Sequence, residues 1–149
     1  MRWNINKNDP LRLGNQLCFP LYAASRQIIK KYRPFLDEIG LTYTQYITMM
    51  VIWEYNSISV KELGHKLFLD SGTLSPVLKS LEAKGYIDRR RSEDDERILT
   101  ATVTEEGLRL KERASSVPGK IAGCLRLSPD DGKALYDLLY KLLDHDGDE

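Results

Sequence analysis

Cys18 is the residue in this chain best equipped for chemistry, and two tyrosines follow it at informative spacings. It lies in Asn15-Gln16-Leu17-Cys18-Phe19-Pro20-Leu21-Tyr22, with Tyr32 fourteen residues on and Tyr43 twenty-five residues on. A thiolate is a nucleophile that attacks electrophilic oxidants, and phenolic hydroxyls are donors able to hold it. A lone cysteine in a helix is more commonly an inert, buried small hydrophobe. Here an Asn15 cap would put Cys18 at the third position of its helix, where unpaired amides and the dipole favour a thiolate. The other cysteine, Cys124 in Gly123-Cys124-Leu125, reads most simply as a packed core thiol. No zinc or thioredoxin spacing joins the two, and His65 and His145 stand alone, so neither a metal nor a cofactor is expected.

A second group of residues suits nucleic acid. Asp70 or Ser71 caps a helix whose inner face is Leu74, Val77, Leu78 and Leu81, and Gly85 ends it. Ser71, Thr73, Ser75, Pro76 and Lys79 fall off that stripe. They form either a solvated face or the side of a helix lying deep in a major groove, which small hydroxyls and one long cation suit. Pro76 in mid-helix should weaken it. Tyr86–Arg91 and Ile98–Val103 then read as a β-hairpin with a polar tip. The charged run Arg89-Arg90-Arg91-Ser92-Glu93-Asp94-Asp95-Glu96-Arg97 is either a salt-bridged turn or a wing on DNA. Arg97 is its best single candidate, because a narrow minor groove attracts arginine. The three consecutive arginines alternate faces, so only part of that run can face DNA, with Arg89 and Arg91 the candidates.

The positioning elements follow from periodicity. Residues 1–9 have none and read as a loose arm. Apolar residues at Leu17, Leu21, Tyr22, Ile28, Ile29, Tyr32, Phe35 and Leu36 predict a helix over about 11–36, stopped at Gly40. Thr42 or Thr44 caps a second helix carrying Ile47, Met50, Val51 and Trp53. Ser59 to Glu62 reads as a capping box opening a short helix through Leu67. After the hairpin, Thr104 opens a helix to about Cys124, and Ser128-Pro129 starts the last, with Leu135, Leu138, Leu139, Leu142 and Leu143 on its stripe and a fraying acidic tail.

These elements predict a single domain over 1–149, mainly α, with a winged helix-turn-helix at about 42–103. The end helices, about 11–36 and 105–144, have more apolar stripe than one small domain buries, which implies an isologous dimer. A dimer would present two recognition helices about one DNA turn apart (~34 Å). The length of 149 residues supports a core without disulfides or metal. A formal net charge of zero, from 22 basic and 22 acidic residues, argues against a generic nucleic-acid coat but not against clustered cations. No apolar run reaches membrane-spanning length and no signal peptide is visible, so a soluble, cytoplasmic chain is expected. There any disulfide would be conditional.

From about Asn15 to Pro118 the chain resembles the MarR family of winged-helix repressors, and within it the organic-hydroperoxide sensors of the OhrR type. The resemblance implies that Tyr32 and Tyr43 hydrogen-bond the reactive Cys18 sulfur from the other subunit. It also implies that Asp95-Glu96-Arg97 is the family's Asp-x-Arg element, with arginine in the minor groove and aspartate holding it. Some relatives carry a resolving cysteine near the position of Cys124, and others do not. Pro20 departs from the family pattern, implying either a helix start near Asn15 or a kink beside the sensor. The implied protein is a homodimeric, non-enzymatic repressor of a pseudo-palindromic double-stranded operator, released when organic hydroperoxide oxidises Cys18. A repressor released by a small aromatic ligand is the first alternative. A thiol peroxidase is the second, and it lacks a general-base histidine near Cys18 and any CxxC pair. A ligand-free nucleoid protein is disfavoured by the neutral charge.

Overall fold

The computed structural model describes residues 9–144, so the expected N-terminal arm and the acidic tail with His145 lie almost wholly outside the described residues. A 3₁₀ turn, Leu13–Asn15, precedes α1 (Cys18–Asp37). Then come α2 (Tyr43–Tyr55), β1 (Ser57–Ser59), α3 (Val60–Leu67) and α4 (Ser71–Ala83). The wing strands β2 (Ile87–Arg91) and β3 (Leu99–Val103) lead to α5 (Glu105–Ala114), α6 (Val117–Cys124) and α7 (Pro129–Asp144). The mainly α winged-helix class holds. None of the described helices is long and apolar enough to cross a membrane.

Local chemistry sets most boundaries. Gly40 takes φ 68° and Gly85 φ 80°, left-handed conformations that end α1 and α4 cheaply only for glycine. Thr42 and Gln45 form a reciprocal capping box on α2, and Asp70 accepts from the Thr73 amide at 2.7 Å on α4. Ser59 caps α3 through the Glu62 amide, which is half of the expected box.

Four expectations are corrected. Helix α1 begins at Cys18, not near Leu11, because Asn15 belongs to the 3₁₀ turn and donates its side-chain amide to the Asp9 carbonyl. Pro20 therefore falls in the first turn, where its missing N–H costs no helical bond. The expected helix from Thr104 to Cys124 breaks at Ser115-Ser116, with Ser115 Oγ returned to the Glu112 carbonyl and Pro118 in the first turn of α6. The wing is a three-stranded sheet of order β1-β3-β2, not a bare hairpin. Finally, α2 buries Tyr46, Met49, Ile52 and Trp53 and exposes Met50, because a helix apolar nearly all round has no face that periodicity alone can choose.

The chain divides at Val117/Pro118 into two compact units. The first holds α1 to α5 and the sheet around a core of Leu36, Met49, Ile52, Leu63, Leu74, Leu78, Leu81, Ile87, Ala101 and Leu110. Ile87 and Ala101 drive the sheet into that core, and the Trp53 indole donates to the Gly107 carbonyl at 2.8 Å. The second unit holds α6 and α7, and α7 buries no residue: Leu135, Tyr136, Leu138, Tyr140 and Leu142 are exposed.

Candidate functional site

Cys18 is the first residue of α1, preceded by Leu17 as an N-cap without a side-chain bond, and it is exposed. That is two positions nearer the helix start than an Asn15 cap would put it. Beside it, a cleft of about 760 Å³ runs along α1 between Phe19, Tyr22, Arg26, Arg33 and Leu36 and ends on Tyr43.

Tyr32 and Tyr43 meet, with ring centroids 5.0 Å apart and planes tilted by 56°. A third phenol joins them. Tyr46 is 3% exposed and its ring lies 5.9 Å from Tyr32. Burial raises the pKa of all three, and each of Tyr32 and Tyr46 is raised further by the neighbouring phenols. They therefore stay protonated, as donors, at neutral pH. Sequence reading missed Tyr46, although its spacing of three from Tyr43 puts both on one helix face. The structure does not bring Cys18 to this cluster within one chain. Fourteen residues of helix hold it about 21 Å along the axis from Tyr32.

On α4, Ser71, Thr73, Ser75, Pro76 and Lys79 are all exposed, opposite the buried Leu74, Leu78 and Leu81. Ser75 Oγ donates to the Ser71 carbonyl at 2.8 Å, bracing the turn just before the proline. At the wing tip Asp95 Oδ1 accepts from the Arg97 amide at 3.0 Å and stands 3.6 Å from its Nε. The Arg97 side chain is nevertheless 93% exposed, so the carboxylate steadies its base while the guanidinium projects into solvent.

The other wing arginines divide differently from expectation. Arg89 shares its strand face with the buried Ile87 and is turned toward the body. Its amide, Nε and Nη2 all donate to the Glu82 carboxylate of α4, at 3.0, 3.3 and 3.1 Å, so it is not presented to a ligand. Those donors hold Glu82 below the usual carboxylate range, chiefly through the side-chain hydrogen bonds. Arg91 is exposed but donates to the Glu96 carbonyl at 2.8 Å, closing the tip. Arg90 faces the opposite way and is exposed. Cys124 ends α6, half-buried. Among the described residues, no group of three His, Cys, Asp or Glu side chains is disposed to hold a metal ion.

The chain has clear relatives. The family described as transcriptional regulator SarA/Rot matches residues 27–114. The organic hydroperoxide resistance transcriptional regulator of Bacillus subtilis is 48% identical over 139 residues, covering 93% of this chain and 95% of its own. Overoxidised AbfR bound to DNA superposes with a TM-score of 0.76 at 37% identity, over 93% of this chain and 98% of that one. AbfR, from Staphylococcus epidermidis, gives 0.76 also when reduced and DNA-bound. Its disulfide form gives 0.62 at 36% identity, over 93% of this chain and 94% of that one.

Proposed function

The chain belongs to the MarR family of winged-helix transcriptional regulators, in its organic-hydroperoxide-sensing branch, and on that footing we propose that Cys18 is its sensor. The observation that carries this reading is an exposed thiol opening α1 in a chain whose own phenol cluster lies too far along that helix to reach it. A second copy supplies the match: its Tyr32 and Tyr43 hold the first copy's sulfur. The bare apolar faces of α1 and α7 supply the area for such a pairing. The protein acts as a cytoplasmic homodimer on a pseudo-palindromic operator. Ser71, Thr73, Ser75, Pro76 and Lys79 of each α4 face the major groove, and each Arg97 enters a flanking minor groove.

The redox step is a displacement. The Cys18 thiolate attacks the distal oxygen of an organic hydroperoxide, the O–O bond breaks, and the departing alkoxide takes a proton to leave as alcohol. The product, Cys18–SOH, then condenses with a second thiol, losing water and forming a disulfide. Cys124 of the other subunit is the partner we favour. A likeness to AbfR supports this: that protein's overoxidised form is bound to DNA and matches this chain as well as the reduced form does, while its disulfide form matches less. The disulfide, more than added oxygen, is then what displaces the wings.

Fluorescence anisotropy on an operator duplex, before and after stoichiometric hydroperoxide, tests the reading. Wild type should release DNA and recover with reductant, whereas Cys18→Ser should bind and ignore peroxide. Release of Cys18→Ser by peroxide would overturn the assignment. Release of wild type and Cys18→Ser alike by a salicylate-like ligand, without peroxide, would favour the aromatic-ligand alternative.

A further inference from the structure

Between the phenol cluster and the DNA-facing helix lies a polar bridge, centred on one buried side chain, that neither sensing nor DNA contact requires. Its centre is Gln45, 7% exposed, one residue from Tyr46 and two from Tyr43. The Gln45 Nε2 donates to Ser80 Oγ of α4 at 2.9 Å. Its Oε1 accepts from the Thr42 amide at 3.0 Å and from Lys84 Nζ at 3.2 Å. Lys84, just past α4, also donates to the Gly40 carbonyl at 2.6 Å. The Gln45 amide itself donates to Thr42 Oγ1 at 3.2 Å. The first turn of α2 and the last turn of α4 are thus joined at Ser80 and at Lys84.

Resting on the sensor reading above, we propose that Gln45, with Ser80 and Lys84, is the positioning element that carries displacement of Tyr43 to the recognition helix. Tyr43 is the first residue of α2, and the capping box makes residues 42–45 one rigid turn, so Tyr43 cannot shift without moving Gln45. A buried side chain bonded through both amide atoms cannot follow that shift without moving its partners or leaving polar atoms unpaired. Ser80 and Lys84 sit at the C-terminal end of α4, so a small movement there swings the opposite end, where Ser71 and Thr73 lie. Glu82, between them, holds β2 through Arg89, so the wing moves with the same helix end. One joint therefore drives both DNA-facing elements.

A merely structural bridge would support both redox forms equally, whereas a coupling element changes the ratio of their affinities. Operator affinity of reduced and of peroxide-treated full-length dimer should be measured for wild type, Gln45→Met, Gln45→Glu and Ser80→Ala, with the rate of Cys18 sulfenylation followed in parallel. Methionine keeps the side-chain length and removes both hydrogen-bonding functions. Glutamate keeps the acceptor toward Lys84 and accepts from the Ser80 hydroxyl. Gln45→Met and Ser80→Ala should oxidise at the wild-type rate yet lose about tenfold or more of the reduced-to-oxidised affinity ratio, and Gln45→Glu should retain it. Ser80→Ala decides the matter alone if Gln45→Met does not fold. An unchanged ratio, or equal weakening of both forms, overturns the bridge's role. Cys18→Ser in the same assay separates the two levels: its release by peroxide would instead remove the sensor reading, and the bridge's role with it.

Discussion

Gly107 is the tightest point at the root of the wing, and Gly107→Ala tests whether that root is as closely fitted as the structure has it. A Cβ there would lie 2.2 Å from the Tyr86 carbonyl oxygen and 2.8 Å from Val103 Cγ2. The Tyr86 oxygen cannot retreat freely, since it accepts from the Thr104 amide at 3.1 Å. Helix α5 must move outward, and the Trp53 indole then loses its buried bond to the Gly107 carbonyl. Overpacking costs ~1–3 kcal/mol and the stranded indole donor ~1–3, while alanine's helix propensity returns ~1, for a net loss of about 1–5 kcal/mol. Urea denaturation at fixed dimer concentration reads this directly. Gly132→Ala in α7, where a Cβ meets nothing within 4 Å, is the control and should stabilise by about 0.4–1 kcal/mol. Wild-type or greater stability in Gly107→Ala would refute the fit.

Four further outcomes are expected. Arg97→Ala should weaken operator binding by about 1–3 kcal/mol and leave the melting temperature unchanged, because that side chain is 93% exposed and holds nothing else in place; equal affinity in anisotropy would remove it from the interface. Glu82→Gln should lower operator affinity by loosening Arg89, whereas an Arg89 that read DNA itself would gain affinity once the acid was neutralised. Tyr43→Phe should slow peroxide-driven release several-fold with reduced-state binding intact, as followed by stopped-flow anisotropy. Non-reducing electrophoresis after hydroperoxide should show a covalent dimer that Cys124→Ser abolishes, and an oxidised wild type running only as monomer would exclude the resolving role.

What could be read from sequence was whatever a single residue or short spacing decides. Ser59, Ser128, Gly40 and Gly85 each mark a helix end through one hydrogen bond or one φ value, and of the pairs left open, Thr42 or Thr44 and Asp70 or Ser71, the first member caps in each case. The face of α2 was not legible, because Tyr46, Ile47, Met49, Met50, Val51 and Ile52 surround the helix and only tertiary packing selects among them. Strand β1 is three residues long and shows no alternation worth reading. The break before α6 was missed: Ser115, Ser116 and Pro118 favour it, but a single helix was expected from Thr104 to about Cys124. Arg89 illustrates a general limit. Alternation tells which residues share a strand face, and the buried Ile87 on that same face was the sign that it points inward. Tyr32 and Tyr43 were found through the family pattern, whereas Gln45, a polar residue in an apolar helix, was the visible clue that was passed over.

Strand β1 changes the dynamics of the wing out of proportion to its size. An isolated two-stranded hairpin is marginally stable in water. With Ser57, Ile58 and Ser59 paired to Thr102, Ala101 and Thr100, β3 becomes a central strand bonded on both edges. Its amides should therefore exchange more slowly than those of the tip, whose bonds, such as Asp95 to the Arg97 amide, are all local. On the reading proposed above, Arg97 would meet the minor groove from a tip mounted on a firmly paired root. On that reading, the conformational entropy that the wing would lose on docking is confined to its few tip residues.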